Sequence, residues 1–136
     1  MPFVIDASVA ASWLLPDEDN PVSNAAYRRL ETDDAIAPGL WWFEMRNLLI
    51  VYERRGRIDA RQTARALGLL DGLPIGLDFM AEEVALMDLT RRHRLTVYDG
   101  AYLELAVRER LPLASLDGAL RDAARAEGVA LIGEAG

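Results

Sequence analysis

Short apolar runs alternate along the chain with longer stretches in which apolar residues recur at helical spacing. This alternation predicts a succession of strands and helices. Phe3-Val4-Ile5 is the most apolar short run, and two of its three residues are β-branched, which suits a buried strand. The run stops at Asp6. Val9, Trp13 and Leu14 can then share one face of a short helix over 7–15 that ends near Pro16. Asp17, Glu18, Asp19 and Asn20 make the stretch from Pro16 to Pro21 acidic and turn-rich. Pro21 suits the first position of a second helix reaching Glu31, with Val22, Ala25, Ala26 and Leu30 inward. Ala35-Ile36-Ala37 reads as the second strand, closed by Pro38-Gly39. A long helix over 40–55 follows; it ends on Arg54, Arg55 and Gly56, a basic last turn with a glycine stop.

In the second half, Asp59 caps a helix to Leu70, with Ala60, Ala64, Leu67 and Leu70 on one face. Ile75-Gly76-Leu77 is the third strand, and a helix over 80–92 carries Val84, Met87 and Leu89. Leu95-Thr96-Val97-Tyr98-Asp99 leads into a helix over 100–110, packed through Leu103, Leu105, Ala106 and Val107. Leu113-Ala114-Ser115-Leu116 is a strand that stops at Asp117. A helix over 118–127 uses Leu120, Ala123 and Ala124, residues 129–132 form a closing strand, and 133–136 are a loose tail. The expected architecture is α/β, one domain over 1–136. It has a short, mainly parallel sheet of about four or five strands flanked by about seven helices. No internal repeat, low-complexity segment or linker interrupts it.

Composition narrows the chemistry. The 136 residues can bury a real core, and half of them are apolar. There is no cysteine, which excludes disulfides, thiolate metal sites and cysteine nucleophiles, and agrees with a reducing cytoplasm. The N-terminus lacks a basic segment followed by a long apolar run, so no signal peptide is expected; nor is a membrane span. The net charge of −7 argues against a simple nucleic-acid coat, although local basic clusters remain. Every base is Arg, whose planar fork of donors suits phosphate.

Four acids stand apart from the other eighteen by context. Asp6 ends the most apolar strand. Glu44 interrupts the apolar first turns Leu40-Trp41-Trp42-Phe43 of the long helix. Asp99 and Asp117 lie where an apolar run hands over to a helix. In a parallel sheet Asp6 and Asp117 emerge at the same edge, where ligands bind in open α/β folds. Each acid has a plainer reading too: a helix N-cap for the aspartates, an exposed helix residue for Glu44. Four carboxylates at one edge would repel one another without a cation, and hard oxygen ligands of this kind suit Mg²⁺ or Mn²⁺.

The same residues carry a family resemblance. Val4-Ile5-Asp6-Ala7-Ser8-Val9, with Trp13 and Pro16, resembles the opening of a PIN domain, and more closely that of the VapC ribonuclease toxins of type II toxin–antitoxin pairs. Glu44-Met45-Arg46-Asn47 is similar to that family's Glu-x-x-Asn pattern. Thr96-Val97-Tyr98-Asp99-Gly100-Ala101-Tyr102-Leu103 resembles its third motif, where Ala is commoner than Gly after the aspartate. Leu113-Ala114-Ser115-Leu116-Asp117, with Leu120 beyond, resembles its last motif, where Thr is commoner than Ser115. The resemblance spans nearly the whole chain in order. It implies that Asp6, Glu44, Asp99 and Asp117 are catalytic and hold one or two Mg²⁺ or Mn²⁺ ions, with Ser8 and Asn47 supporting the pocket. It implies an endoribonuclease in which metal-activated water hydrolyses phosphodiester bonds in RNA, leaving a 5′-phosphate and a 3′-hydroxyl. A homodimer and a cognate VapB-type antitoxin covering the active-site groove are its implied partners.

An acidic pocket needs basic help to draw in RNA. Arg54, Arg55, Arg57 and Arg61 are the candidate RNA path, set against the plainer reading of a solvated basic helix end. Arg91, Arg92 and Arg94 form another basic cluster, with the only histidine, His93, expected to be exposed among them. Trp41, Trp42, Phe43 and Tyr52 can stack on bases, or serve as core or interface residues. Two other functions compete: a non-catalytic α/β interaction module whose acids are caps, and another metal-dependent phosphohydrolase or receiver-like domain. The receiver reading wants a late lysine that this chain lacks.

Overall fold

The computed structural model describes residues 1–15 and 19–134. The expected helix stop at Pro16, the acids Asp17 and Glu18, and the last two residues of the tail lie outside them. Among the described residues there are four strands: β1 (Phe3–Ile5), β2 (Ala35–Pro38), β3 (Ile75–Asp78) and β4 (Leu113–Ala114). The seven helices are α1 (Ala7–Trp13), α2 (Pro21–Arg29), α3 (Leu40–Arg54), α4 (Ala60–Asp71), α5 (Glu83–His93), α6 (Val97–Glu109) and α7 (Gly118–Ala126). No described helix is long and apolar enough to cross a membrane.

Local chemistry explains most boundaries. Asn20 accepts from the backbone N–H groups of Val22 and Ser23, with Pro21 at the first helical position of α2. Asp59 and Gln62 form a reciprocal capping box on α4. Gly56, at φ 73°, takes the left-handed conformation that closes α3. Two helices begin elsewhere than expected. Helix α5 starts three residues late, because Glu82 caps it through the Ala85 N–H. Helix α6 starts three residues early, because Thr96 caps it through the Asp99 N–H. The inner face of α4 is Ala66, Leu67 and Leu70 rather than Ala60 and Ala64, which are exposed.

The sheet is wholly parallel, in the order β3-β2-β1-β4. The expected closing strand is reduced to a single bridge between Leu113 and Leu131. Strand β4 itself covers only two residues, because the chain peels away at Ser115 toward α7. Right-handed crossovers then sort the helices. The connections β1→β2 and β2→β3 both step one way across the sheet, while β3→β4 returns the other way. Helices α1 to α4 therefore form one layer, α5 to α7 the other, in agreement with their packing: α1 on α2 and α3, and α6 on α5 and α7. The core is Phe3, Val4 and Ile5, fully buried, between Met45 from one layer and Tyr102, Leu103 and Leu105 from the other. The step direction reverses between β1 and β4, which creates a topological switch point at their carboxyl ends.

Candidate active site

The switch point is where the acids meet. Register pairs Ile5 with Ala114, so the next residues, Asp6 and Ser115, stand side by side. Asp117 follows two residues on. Glu44 enters from α3 in one helical layer and Asp99 from the first turn of α6 in the other. Asp6, Ala7, Ser8, Glu44, Asn47, Leu48, Asp99 and Asp117 line a single open pocket of about 270 Å³. Glu44, Asn47 and Leu48 share that side of α3 because residues three and four apart are helix neighbours.

Asp6 is almost fully buried, and Oδ2 carries all of its side-chain hydrogen bonds. Ser8 Oγ donates to Oδ2 at 2.9 Å and Ser115 Oγ at 2.8 Å. Each serine oxygen also accepts a backbone N–H, from Leu116 at 3.1 Å and from Asp117 at 3.0 Å. Each hydroxyl thus accepts from the backbone and donates its proton to the carboxylate. The backbone N–H of Ala7 also acts on the carboxylate. Asp6 is at the N-cap position of α1 but makes no side-chain cap bond, so the cap reading fails for it. Asp117 is a cap, with Oδ2 accepting from the Leu120 N–H at 2.9 Å, and it lines the pocket as well. Asp99 is not a cap: Thr96 has that role, and the Asp99 carboxylate has no hydrogen-bond donor among the described residues. Glu44 is half-buried and accepts from the Tyr102 phenol at 2.6 Å.

No positive side chain lines this pocket, and the electrostatics record it. Burial raises the pKa of Asp6, with a smaller push from Asp117, against the pull of the two serines. Burial also raises Glu44, helped by Asp6 and Asp99, against the Tyr102 hydrogen bond. Asp99 is raised by burial and then by Asp117 and Asp6. The acids therefore lie close enough to disfavour one another's ionisation. Carboxylate oxygens, serine hydroxyls and an amide make a donor set that fits a hard divalent cation. Among the described residues no three acids or histidines form a ready-made metal cage. A Mg²⁺-like ion, which keeps several of its waters, needs only a few direct ligands here.

Two residues outside the expected set belong to the site. Ser115, fully buried, bridges Asp6 and Asp117. The signal for it was strand register, which a sequence does not print. Tyr102 was legible in principle, because it follows Asp99 by three residues on the same helix. The glycine after Asp99 has a steric reason. A Cβ on Gly100 would lie 2.2 Å from Thr90 Oγ1 of α5, so the close α5–α6 contact requires glycine there.

The arginine candidates are not at the pocket. Arg54 and Arg55 lie at the far end of α3, Arg57 in the following turn and Arg61 in the first turn of α4, all exposed. Ten residues of helix separate Glu44 from Arg54, roughly 15 Å. His93, expected to be exposed, is partly buried. Its Nε2 lies 2.6 Å from Glu127 Oε2, because the ends of α5 and α7 meet there. Trp41 is buried in the core, whereas Trp42 and Phe43 are exposed, and Arg46 stacks on the Trp42 ring at 3.6 Å.

Comparison with known proteins adds two findings. The family model described as PIN domain matches residues 3–126. Among solved structures, the crystal structure of PAE2754 from Pyrobaculum aerophilum is similar, with a TM-score of 0.66 and 22% identity over 90% of this chain and 87% of that chain. At that identity the likeness is one of fold. No curated protein matches the sequence.

Proposed function

This chain belongs to the PIN domain family, whose members are generally metal-dependent nucleases, and from that premise we propose that it is a Mg²⁺- or Mn²⁺-dependent endoribonuclease, the toxin of a type II toxin–antitoxin pair. The observation that carries the nuclease reading is the pocket at the switch point, where four carboxylates converge and no chain cation balances them. The toxin reading is supported by the ordered resemblance to VapC motifs at Asp6, Glu44, Asp99 and Asp117.

Asp6, Glu44, Asp99 and Asp117 would hold the ion through their carboxylates. A bound divalent ion supplies an acidified water and stabilises charge on the phosphoryl oxygens. The chain's part is preorganisation. Ser8 and Ser115 fix Asp6 by one oxygen, and the α7 amide at Leu120 fixes Asp117. The amide of Asn47, exposed on the pocket's rim, can donate to a substrate phosphate or ribose hydroxyl. RNA is the proposed substrate, and Arg54, Arg55, Arg57 and Arg61 are the proposed outer path for its backbone. Exposed Trp42 and Phe43 fit a contact with a second copy or with the cognate VapB-type antitoxin. Cytoplasmic action follows from such a substrate.

The test is cleavage of a mixed RNA pool by antitoxin-free protein with Mg²⁺, with Mn²⁺, with EDTA, and by Asp6→Asn with Mg²⁺ restored. The expected result is metal-dependent cleavage that falls by more than about 100-fold in the variant, beyond the usual loss for an outer-sphere residue. Cleavage that persists equally in EDTA and in Asp6→Asn rejects the mechanism.

A further inference from the structure

The hydroxyl groups around the pocket follow one rule. Ser8 and Ser115 both donate to Oδ2 of Asp6, and the leucine amide on α7 takes Oδ2 of Asp117. In each case the hydroxyl or the leucine amide engages one carboxylate oxygen only. Glu44 shows the same asymmetry. Its Oε1 accepts from the phenol of Tyr102 at 2.6 Å, and its Oε2 is free of hydrogen bonds among the described residues. Tyr102 is fully buried on α6, and the contact joins the two helical layers across the end of the sheet over a separation of 58 residues. The Ala7 N–H acts on the same phenol as well as on the Asp6 carboxylate. The phenol's own proton goes to Glu44.

We infer that Tyr102 is a positioning residue. It holds Glu44 by one oxygen and leaves the other as the oxygen that Glu44 offers to a divalent cation. Without it, a half-buried glutamate on a long side chain swings among rotamers, and an ion must order it on binding. The inference rests on the pocket being a cation site, and its test needs no RNA.

Mn²⁺ affinity would be measured by titration calorimetry on the metal-free full chain in four forms: wild type, Tyr102→Phe, Glu44→Gln, and the double variant. Tyr102→Phe removes one oxygen atom from a packed ring. The expected loss of Mn²⁺ affinity is about 10- to 100-fold, the usual effect of an outer-sphere partner. The loss should vanish in the Glu44→Gln background, because Tyr102 acts through the carboxylate. An equal loss in both backgrounds means a merely structural phenol and overturns the inference, as does an unchanged affinity or a wild-type chain that binds no Mn²⁺. Should Tyr102→Phe not fold, Glu44→Asp decides the matter. It keeps the charge but retracts it from the phenol, and wild-type affinity in that variant overturns the inference. A chain that shows the expected Mn²⁺ pattern yet cuts no RNA keeps this inference and loses the nuclease.

Discussion

Asp6 and Asp78 stand level with each other on the carboxyl edge of the sheet, two strands and so about 10 Å apart. Both face helix α6, and each belongs to a cluster of acids. Around Asp78 the chain supplies its own cation. Arg108 Nη2 reaches Asp78 Oδ2 at 2.6 Å, and Nε holds both oxygens of the buried Glu104 at 2.9 Å. Glu104 Oε1 also accepts the backbone N–H of Glu82 in the cap of α5. The guanidinium contacts hold Asp78 below the usual carboxylate range. Around Asp6 the chain supplies hydroxyls and amides but no cation, and three of the four acids are pushed up. One helix thus carries Asp99 into the uncompensated cluster and Arg108 into the compensated one. Acids that serve the fold come with their counter-charge. Acids left without one are poised for a charge from outside.

Removing the internal cation should erase the difference, and this is the largest effect expected. Arg108→Ala strands a glutamate that is 1% exposed. A loss of about 3–5 kcal/mol in unfolding free energy follows from breaking one side of a buried pair. Chemical denaturation should show that loss, and Glu104→Gln in the same chain should recover part of it. A loss no larger than that of an exposed arginine would mean that the two clusters are alike.

The next test disturbs the helix that serves both. Gly100→Ala drives a methyl group onto Thr90 Oγ1, and overpacking of this kind costs about 1–3 kcal/mol. Thr90 Oγ1 is buried and has no hydrogen-bond partner among the described residues, so Thr90→Ala gives up no bond. The double variant should melt close to wild type. If Gly100→Ala alone melts like wild type, the α5–α6 contact does not set the position of α6.

The smallest effect is one of sign. Asp6, Glu44 and Asp99 have raised pKa values in the folded chain. In chelator their contribution to stability is fully present below the ordinary carboxylate range and is lost as pH rises through the raised values. Asp78 is lowered, so its contribution is present above the ordinary range and is lost as pH falls through the lowered value. Calorimetry in EDTA should therefore show Asp6→Asn gaining melting temperature relative to wild type as pH rises above the ordinary carboxylate range. Asp78→Asn should melt below wild type there, by a difference that closes only as pH falls below that range. Added Mg²⁺ should shrink the first difference and leave the second. Parallel responses in the two variants would contradict the contrast between the clusters.

Much of this is legible in the sequence. The apolar run of β1 and its stop at Asp6, the Pro21 and Asp59 helix starts, and the α/β alternation are local signals, written in neighbouring residues. The four acids stood out because each sits at an abrupt change from apolar to polar. What misled was equally local. An aspartate before a helix reads as a cap whether or not it is one: Asp117 caps, Asp6 does not, and Asp99 lies inside a helix that Thr96 caps. His93 looked exposed because its partner Glu127 is 34 residues away.

The sequence by its local patterns specifies most of the elements, the parallel sheet and the strand-end and helix-entry settings of the four acids, though not the closing strand, because periodicity, caps and strand ends depend on residues a few positions apart. Only the tertiary structure decided which acids are compensated. Charge balance depends on distances across the chain: Arg108 is 30 residues from Asp78, Tyr102 is 58 from Glu44, and Ser115 is 109 from Asp6. Strand order brings those pairs together. The reversal of direction between β1 and β4 brings Asp6 and Asp117 into one pocket with no arginine bonded to either carboxylate among the described residues, and that placement is a property of the topology rather than of any segment.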